Sequence, residues 1–271
     1  MADDNSAGRP AGGRNRLPPY PMIDMVDYPL LIFALSFIAF YLSALVGGYV
    51  RKRGQPLGDD ERRDVDVVQT ASLTLLGLLI GFTFSMALTR YDQRKGYEEA
   101  EANAIGTEYV RAELLPAADT ARVQELLKKY LDLRVLFYTT RDGQQLQQIN
   151  TNTRQLQDEL WSAVQASAAA QPTPMNALAI SGMNDVLNSQ GYTQAAWWNR
   201  IPLEAWGLLV AIAIGCNLLI GYSAHRTSIL FIVLPLAVSL SFFLIADIDS
   251  PRGGLIRVQP QNLASLSQTL R

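Results

Sequence analysis

Residue types that perform catalysis or bind metal ions are scarce in this sequence. It contains one cysteine, Cys216, and one histidine, His225. A disulfide or a cysteine-based metal site needs more than one cysteine, and a multi-histidine site in one chain would depend on His225 alone. Glycine-rich nucleotide-binding motifs and the G-x-S-x-G nucleophile motif are also absent from any strand-to-helix junction. The sequence therefore predicts neither an enzyme, nor a metal site, nor a bound cofactor.

Three acidic clusters, at residues 59–61, 98–101 and 247–249, are the remaining candidates for cation binding. Calcium needs roughly six to eight oxygen atoms that converge on it, usually from a turning loop. Basic residues lie close to the second cluster, where i,i+4 spacing pairs Arg94 with Glu98. We therefore expect a solvated, self-paired charged face and not a cation site.

The elements that must position any functional residue are four long runs without charge. The mean hydropathy is only +0.07, but the apolar residues are concentrated at 29–50, 67–89, 205–224 and 227–246. About 20 apolar residues in a helix cross a bilayer core. The first run is too long for the apolar part of a signal peptide, and a basic loop follows it. Because backbone groups in lipid must be satisfied internally, the fold class is predicted to be all-α, a polytopic membrane protein with four transmembrane helices.

The remaining segments are polar. Residues 1–20 are rich in small and charged residues and are expected to be disordered. Residues 90–201 show apolar residues at helical spacing and predict an aqueous helical domain between the second and third transmembrane helices. Since no proline precedes Pro116, the second transmembrane helix is expected to continue to about residue 115. Residues 247–271 form a C-terminal tail.

The second apolar run carries a stripe of small and weakly polar side chains. Its members are Thr70, Thr74, Gly77, Gly81 and Ser85, which share one face at 3.6 residues per turn. Such a stripe permits close helix packing, and it would equally suit the lining of a narrow aqueous path. None of the four runs contains Asp, Glu, Lys or Arg, so a proton relay inside the bilayer has no candidate.

Aromatic and basic residues mark the ends of the membrane helices. Trp197, Trp198 and Trp206 surround the start of the third run and are predicted to anchor it at the lipid headgroups, with an aromatic ligand site as the alternative. Arg90 follows the second run, beside Tyr91. Arg90 either concentrates anions at a pore mouth or extends to the headgroups.

Several motifs resemble a known family. The chain is similar to the bacterial bestrophin-like domain proteins through "LLGLLIGFTFSMALTRYDQRK", "EEAEANAIGTEYVRAELLP" and "DIDSPRGGLIRVQPQ", in this order relative to the four runs. The shorter pattern from Gly81 through Phe82 and Ser85 to Thr89-Arg90-Tyr91 resembles the bestrophin anion channels themselves.

The resemblance to bestrophins implies a homo-oligomeric anion channel, pentameric in that family, whose pore is lined by the second helix of each subunit. Bestrophins narrow this pore with an apolar neck. Thr74 departs from the bulky apolar residue expected there, which puts a fully hydrophobic gate in question. The candidate neck residues are Thr74, Leu78, Phe82 and Ser85, and the candidate packing residues are Thr70, Gly77 and Gly81.

The resemblance also guides orientation and partners. The acidic run that binds calcium in animal bestrophins has no counterpart, so we expect no calcium dependence. Basic residues near the runs do not decide the topology, and the resemblance favours a bacterial inner membrane with cytoplasmic termini and a cytoplasmic 90–201 domain. Expected partners are membrane lipid, further copies of the chain and anions, with no nucleic acid. The alternative function is a non-conducting membrane scaffold or sensor whose helical domain binds a partner.

Overall fold

The computed structural model describes residues 27–54, 58–223 and 229–271, and within them the regular structure is helical. The prediction of disorder for residues 1–20 and the start of the fourth run lie outside the described residues. The α-helices are α1 (Pro29–Arg53), α2 (Asp59–Arg111), α3 (Ala117–Thr139), α4 (Gly143–Ala170), α5 (Pro174–Trp198), α6 (Leu203–Ser223), α7 (Leu230–Asp249) and α8 (Gln261–Thr269).

The predicted all-α fold class is confirmed, with four helices long and apolar enough to cross a membrane. These are α1, α2, α6 with the preceding α5, and α7. Helices α1 and α2 each pack against α6 and α7. An apolar core fills the bundle, in which Phe242 makes edge-on contacts with Phe40 and Trp206 at ring-centroid distances of 5.3 and 5.8 Å.

Glycine brings two membrane helices close together at one place. A Cβ on Gly47 of α1 would overlap the carbonyl of Leu218, and a Cβ on Gly221 of α6 would overlap the carbonyl of Ala44. Only glycine fits where two backbones approach this closely. Among the described membrane helices, this glycine-mediated approach of two backbones lies between α1 and α6.

Helix α2 runs without interruption from the membrane bundle into residues 90–201, the predicted aqueous domain. It has 53 residues, which at about 1.5 Å per residue gives a length of roughly 80 Å. The Gly58 N–H donates to the Glu61 carboxylate at 3.0 Å at its start. A turn of 3₁₀-helix at Ala112–Leu114 and the extended Leu115 before Pro116 end it.

In the aqueous domain α3 and α5 pack against the charged half of α2, and α4 packs against α3 and α5. Its core contains Leu127, Tyr130, Phe137, Leu160 and Met183. The helix starts are capped locally: Asp142 accepts from the Gln145 N–H at 2.8 Å and Thr173 accepts from the Asn176 N–H at 3.2 Å. Helix α8, which follows the last membrane helix, packs back onto α2 and α3.

Candidate pore helix and its junction with the aqueous domain

Helix α2 has two distinct sides along its membrane half. At about 100° per residue, Leu76, Thr83 and Ala87 share one side, and all three are buried against the bundle. The opposite side is exposed, with Leu78 at 53% and Phe82 at 61% of their surface. The predicted neck and packing residues all lie on this exposed side: Thr70, Thr74, Gly77, Leu78, Gly81, Phe82 and Ser85.

The exposed side has no partner within the described chain. Nothing lies within 4 Å of the position that a Cβ would occupy on Gly77 or Gly81. The hydroxyls of Thr70 and Thr74 donate to carbonyls one turn earlier in α2, at 2.8 and 2.9 Å. These hydroxyl hydrogens therefore need no second protein partner.

Arg90 and Tyr91 lie where α2 leaves the membrane bundle. The half-buried Arg90 donates from Nε to the Asn199 side chain at 3.4 Å, which connects α2 to the end of α5. Tyr91 packs against both the membrane core and the aqueous core. The structure thus gives Arg90 a protein partner at the junction.

The three tryptophans that were predicted to anchor the third apolar run occupy different environments. Trp197 is 5% exposed and packs edge-on against Phe137 and Tyr138, at 4.9 and 5.3 Å between ring centroids. Trp206 is buried in the membrane core. Burial leaves these two rings little surface for lipid headgroups, whereas Trp198 is 37% exposed. The anchoring role stays a prediction for Trp198.

The aqueous half of α2 buries four charged side chains, namely Arg94, Glu98, Glu101 and Glu108. The expectation of a solvated, self-paired face was wrong for Arg94, Glu98 and Glu101, because they bond to α7, α8 and α3 respectively. With Ile105 and Ala112 the four charged residues follow spacings of four and three residues. That spacing continues the buried side of the membrane half and is the signal that sequence reasoning missed.

Arg94 connects α2 to the end of the last membrane helix. Its guanidinium donates to the carbonyls of Ile248 and Asp249, both at 3.1 Å, and not to Glu98. These carbonyls belong to the last turn of α7, where no helical N–H is available to them. A cation at a helix C-terminus also interacts favourably with the helix dipole. Arg94 therefore holds α7 against α2.

Glu98 connects α2 to α8. Its carboxylate accepts from the Leu263 N–H at 2.9 Å and from the Asn262 side chain at 2.7 Å. Helix α8 begins after Pro260, whose side chain cannot cap it. Glu98 therefore supplies the cap from a distant part of the chain.

Glu101 forms an ion pair with Arg134 of α3, and both side chains are fully buried. The Thr193 hydroxyl of α5 donates to the same carboxylate at 3.1 Å. Burial is the largest single influence and lowers the pKa of Arg134, but the charge and hydrogen bond of Glu101 together with Tyr130 and Tyr138 outweigh it, so the net direction is upward. Together with Thr193 the pair joins α2, α3 and α5 inside the aqueous domain.

Glu108 is buried differently, because its carboxylate oxygens accept no hydrogen bond from the described residues. It packs against Gly182 of α5, where a Cβ would overlap its carboxylate. Burial raises the pKa of Glu108 to about 8, with Arg111 acting in the opposite direction and Asp185 in the same one. Glu108 is therefore largely protonated near neutral pH.

The segment after α7 completes the junction. Asp247 accepts from the N–H groups of Leu255 and Ile256 at 2.7 and 2.8 Å, and Asp249 accepts from the Ile201 N–H at 3.1 Å. The third acidic cluster is thus also buried and bonded to the backbone, contrary to expectation.

Arg252 extends this segment into the aqueous domain. It donates to the carbonyls of Phe137 and Thr140 at 2.7 and 2.8 Å. Its guanidinium also lies 4.3 Å from the Trp197 ring centroid. The "DIDSPRGG" motif is therefore a structural connection between the membrane bundle and the aqueous domain.

We compared the sequence and this architecture with known protein families and solved structures. A family model for the bestrophin-like domain matches residues 37–263. The chain belongs to the bestrophin-like family. This bestrophin-like protein has the fold of a bacterial bestrophin homologue from Klebsiella pneumoniae, with a TM-score of 0.60 and 14% identity over 89% of this chain and 95% of the other.

A tryptophan-to-alanine variant of the Klebsiella pneumoniae homologue gives a similar result. Its TM-score is 0.63 at 13% identity, with 89% of the bestrophin-like chain and 94% of the other covered. At this level of identity the likeness shows the fold. No curated protein matches the sequence.

Proposed function

We propose that the protein is a homo-oligomeric ion channel in a bacterial inner membrane, with α2 of each subunit lining a central pore and anions as the permeant ions. The observation that carries this proposal is the unpartnered side of α2. It combines hydroxyls, two glycines, Leu78 and the aromatic ring of Phe82, whereas the opposite side of the helix packs into the bundle. Family membership supports the same assignment.

The composition of the exposed side argues for contact with protein and water. A surface that faces only lipid gains most from large apolar side chains, whereas this side carries Thr70, Thr74 and Ser85. Gly77 and Gly81 have open space, which allows a neighbouring α2 to approach closely. In a ring of α2 helices, with five subunits by family resemblance, the hydroxyls would face water and the glycines would contact the neighbouring α2.

The narrowest part of such a pore lies at Leu78 and Phe82, the two largest exposed side chains of the stripe. Leu78 and Phe82 are one turn apart and form a short apolar constriction. Such a constriction gates by excluding water. The edge of a phenylalanine ring is electropositive, so a Phe82 edge turned toward the pore would suit an anion.

The charged residues just beyond the membrane half of α2 bear on whether the pore would prefer anions or cations. Asp92, Lys95 and Glu99 are exposed beyond the membrane half. Two carboxylates and one ammonium at the pore exit would reduce the local anion concentration. Flux must therefore be measured for both chloride and potassium.

The test is ion flux into liposomes that contain the purified full-length protein. Phe82→Ala widens the constriction and is expected to raise chloride flux severalfold, and Phe82→Trp to lower it. Ile38→Ala removes a comparably exposed side chain from α1 and serves as the control, with unchanged flux.

Other outcomes would change the assignment. Potassium flux that exceeds chloride flux keeps the pore and refutes the choice of anions. No flux of either ion from any variant favours the non-conducting scaffold or sensor. We further propose that the termini and the aqueous domain are cytoplasmic, which cysteine labelling of intact cells at Ser267→Cys would test.

A further inference from the structure

A cleft of about 760 Å³ opens between the end of α1 and the start of α2. It lies at the end of the membrane bundle that is distant from the aqueous domain. Apolar side chains line one part, including Leu42, Val46 and Phe231, and three basic side chains line the other, namely Arg51, Lys52 and Arg62. The volume falls within the range of small-molecule sites, roughly 300 to 1,000 Å³.

The two parts of the cleft correspond to two depths in the membrane. The uncharged run of α1 ends at Val50 and that of α2 begins at Val67. Leu42 and Val46 therefore lie within the apolar layer, and the basic residues lie at the headgroup level. The cleft crosses the boundary between hydrocarbon and water.

The charge of the cleft is strongly asymmetric. Among the described residues that line it, three are basic and one, Asp66, is acidic. The Arg51 guanidinium lies 5.6 Å from the ring centroid of Tyr222, which restrains it on the wall of the cleft. Basic side chains concentrated in this way at headgroup level attract an anionic group.

We propose that this cleft binds an anionic phospholipid. The lipid phosphate lies against Arg51, Lys52 and Arg62, which donate hydrogen bonds to it. Because donor and acceptor are both charged, these hydrogen bonds are stronger than those between neutral groups. One acyl chain follows Leu42 and Val46 toward the bundle. The apolar part distinguishes a lipid from free phosphate, because a soluble anion gains nothing from hydrocarbon walls. The proposal does not depend on ion conduction.

Two neighbouring arginines provide a matched control for the proposal. Arg53 lies 4.5 Å from the Tyr49 ring centroid, and Arg63 lies 3.8 Å from Asp60, but neither lines the cleft. Removing these two changes the net charge of the same region by the same amount as removing Lys52 and Arg62. A general attraction of lipid to basic surface would therefore respond equally to both double variants.

The experiment is native mass spectrometry of the full-length protein in detergent. The protein is titrated with dioleoyl phosphatidylglycerol, with dioleoyl phosphatidylcholine and with glycerol 1-phosphate. Lys52→Ala/Arg62→Ala is expected to weaken phosphatidylglycerol binding about tenfold or more, since each basic side chain near a headgroup contributes severalfold. Arg53→Ala/Arg63→Ala is expected to change it less than about twofold.

A second variant tests the apolar part and keeps every charge. Val46→Trp fills the cleft and is expected to reduce phosphatidylglycerol binding severalfold. Thermal melting and size-exclusion chromatography verify that each variant keeps its fold and oligomeric state.

Three results would overturn the proposal. Equal losses in the two double variants would show unspecific attraction to the basic loop. Glycerol 1-phosphate binding as tightly as the lipid would show a site for a free phosphate. Unchanged binding to Val46→Trp would show that the lipid does not enter the cleft.

Discussion

The buried ion pair between Glu101 and Arg134 makes a strong prediction about stability. Glu101→Leu leaves the Arg134 charge fully buried without its partner, and it also removes the acceptor of Thr193. Breaking a buried pair from one side costs about 3–5 kcal/mol, and a lost buried hydrogen bond adds about 1 kcal/mol. In a protein of this size each kcal/mol lowers the melting temperature by about 2–4 °C, so the expected loss is about 10 °C or more.

The double variant Glu101→Leu/Arg134→Met is expected to melt within a few degrees of the wild type. Replacing both partners by apolar groups removes the desolvation cost together with the attraction. The measurement is thermal unfolding of the full-length protein in detergent, followed by circular dichroism. The exposed pair Glu125–Lys129, at 2.7 Å on α3, is the control, because such pairs contribute less than about 1 kcal/mol. A double variant as unstable as the sum of its single variants would refute the reasoning.

Two further predictions concern the pH dependence of stability and the close contact between Gly253 and Asp27. Burial raises the pKa of Glu108 to about 8 from 4.5, so its neutral form stabilises the fold fully below pH 4.5, and this contribution is lost as pH rises toward 8. Glu108→Gln, which stays neutral, should therefore melt at a higher temperature than the wild type at pH 8–9 and show a flatter profile between pH 5 and 8; an unchanged profile would contradict this. A Cβ on Gly253 would overlap the Asp27 carbonyl, so Gly253→Ala should lower the melting temperature by several degrees, whereas Gly191→Ala, with open space on α5, should leave it unchanged or raise it; equal effects would show that the turn relaxes.

The sequence predicts the membrane helices because their signal is local. A run of about 20 apolar residues specifies a membrane helix without any reference to other parts of the chain. The same signal does not specify where a helix ends. Helix α1 continues through the basic residues to Arg53, and α2 begins at Asp59, before its apolar run at 67–89. Hydropathy identifies the residues that lie in lipid, whereas backbone hydrogen bonding determines where the helix begins and ends.

The junction could not be predicted in the same way because its partners are distant in sequence. Arg94 is 155 residues from Asp249, and Glu98 is 165 residues from Leu263. Local spacing predicted that Arg94 and Glu98 would pair with each other. In the structure each instead bonds to a distant part of the chain, Arg94 to the end of α7 and Glu98 to the start of α8. Helix α8 left a weak signal in Leu263, Leu266 and Leu270, which follow helical spacing in the tail.

The partners of α2 also set an order of assembly during synthesis. Glu101 meets Arg134 after only 33 further residues, but Glu98 must wait for Leu263. For most of translation Arg94 and Glu98 therefore lack these partners, as the local sequence pattern suggested. An apolar surface left open for so long would promote aggregation of the nascent chain. We expect that the charged residues of α2 keep the unfinished protein soluble and become buried when the last helices are in place.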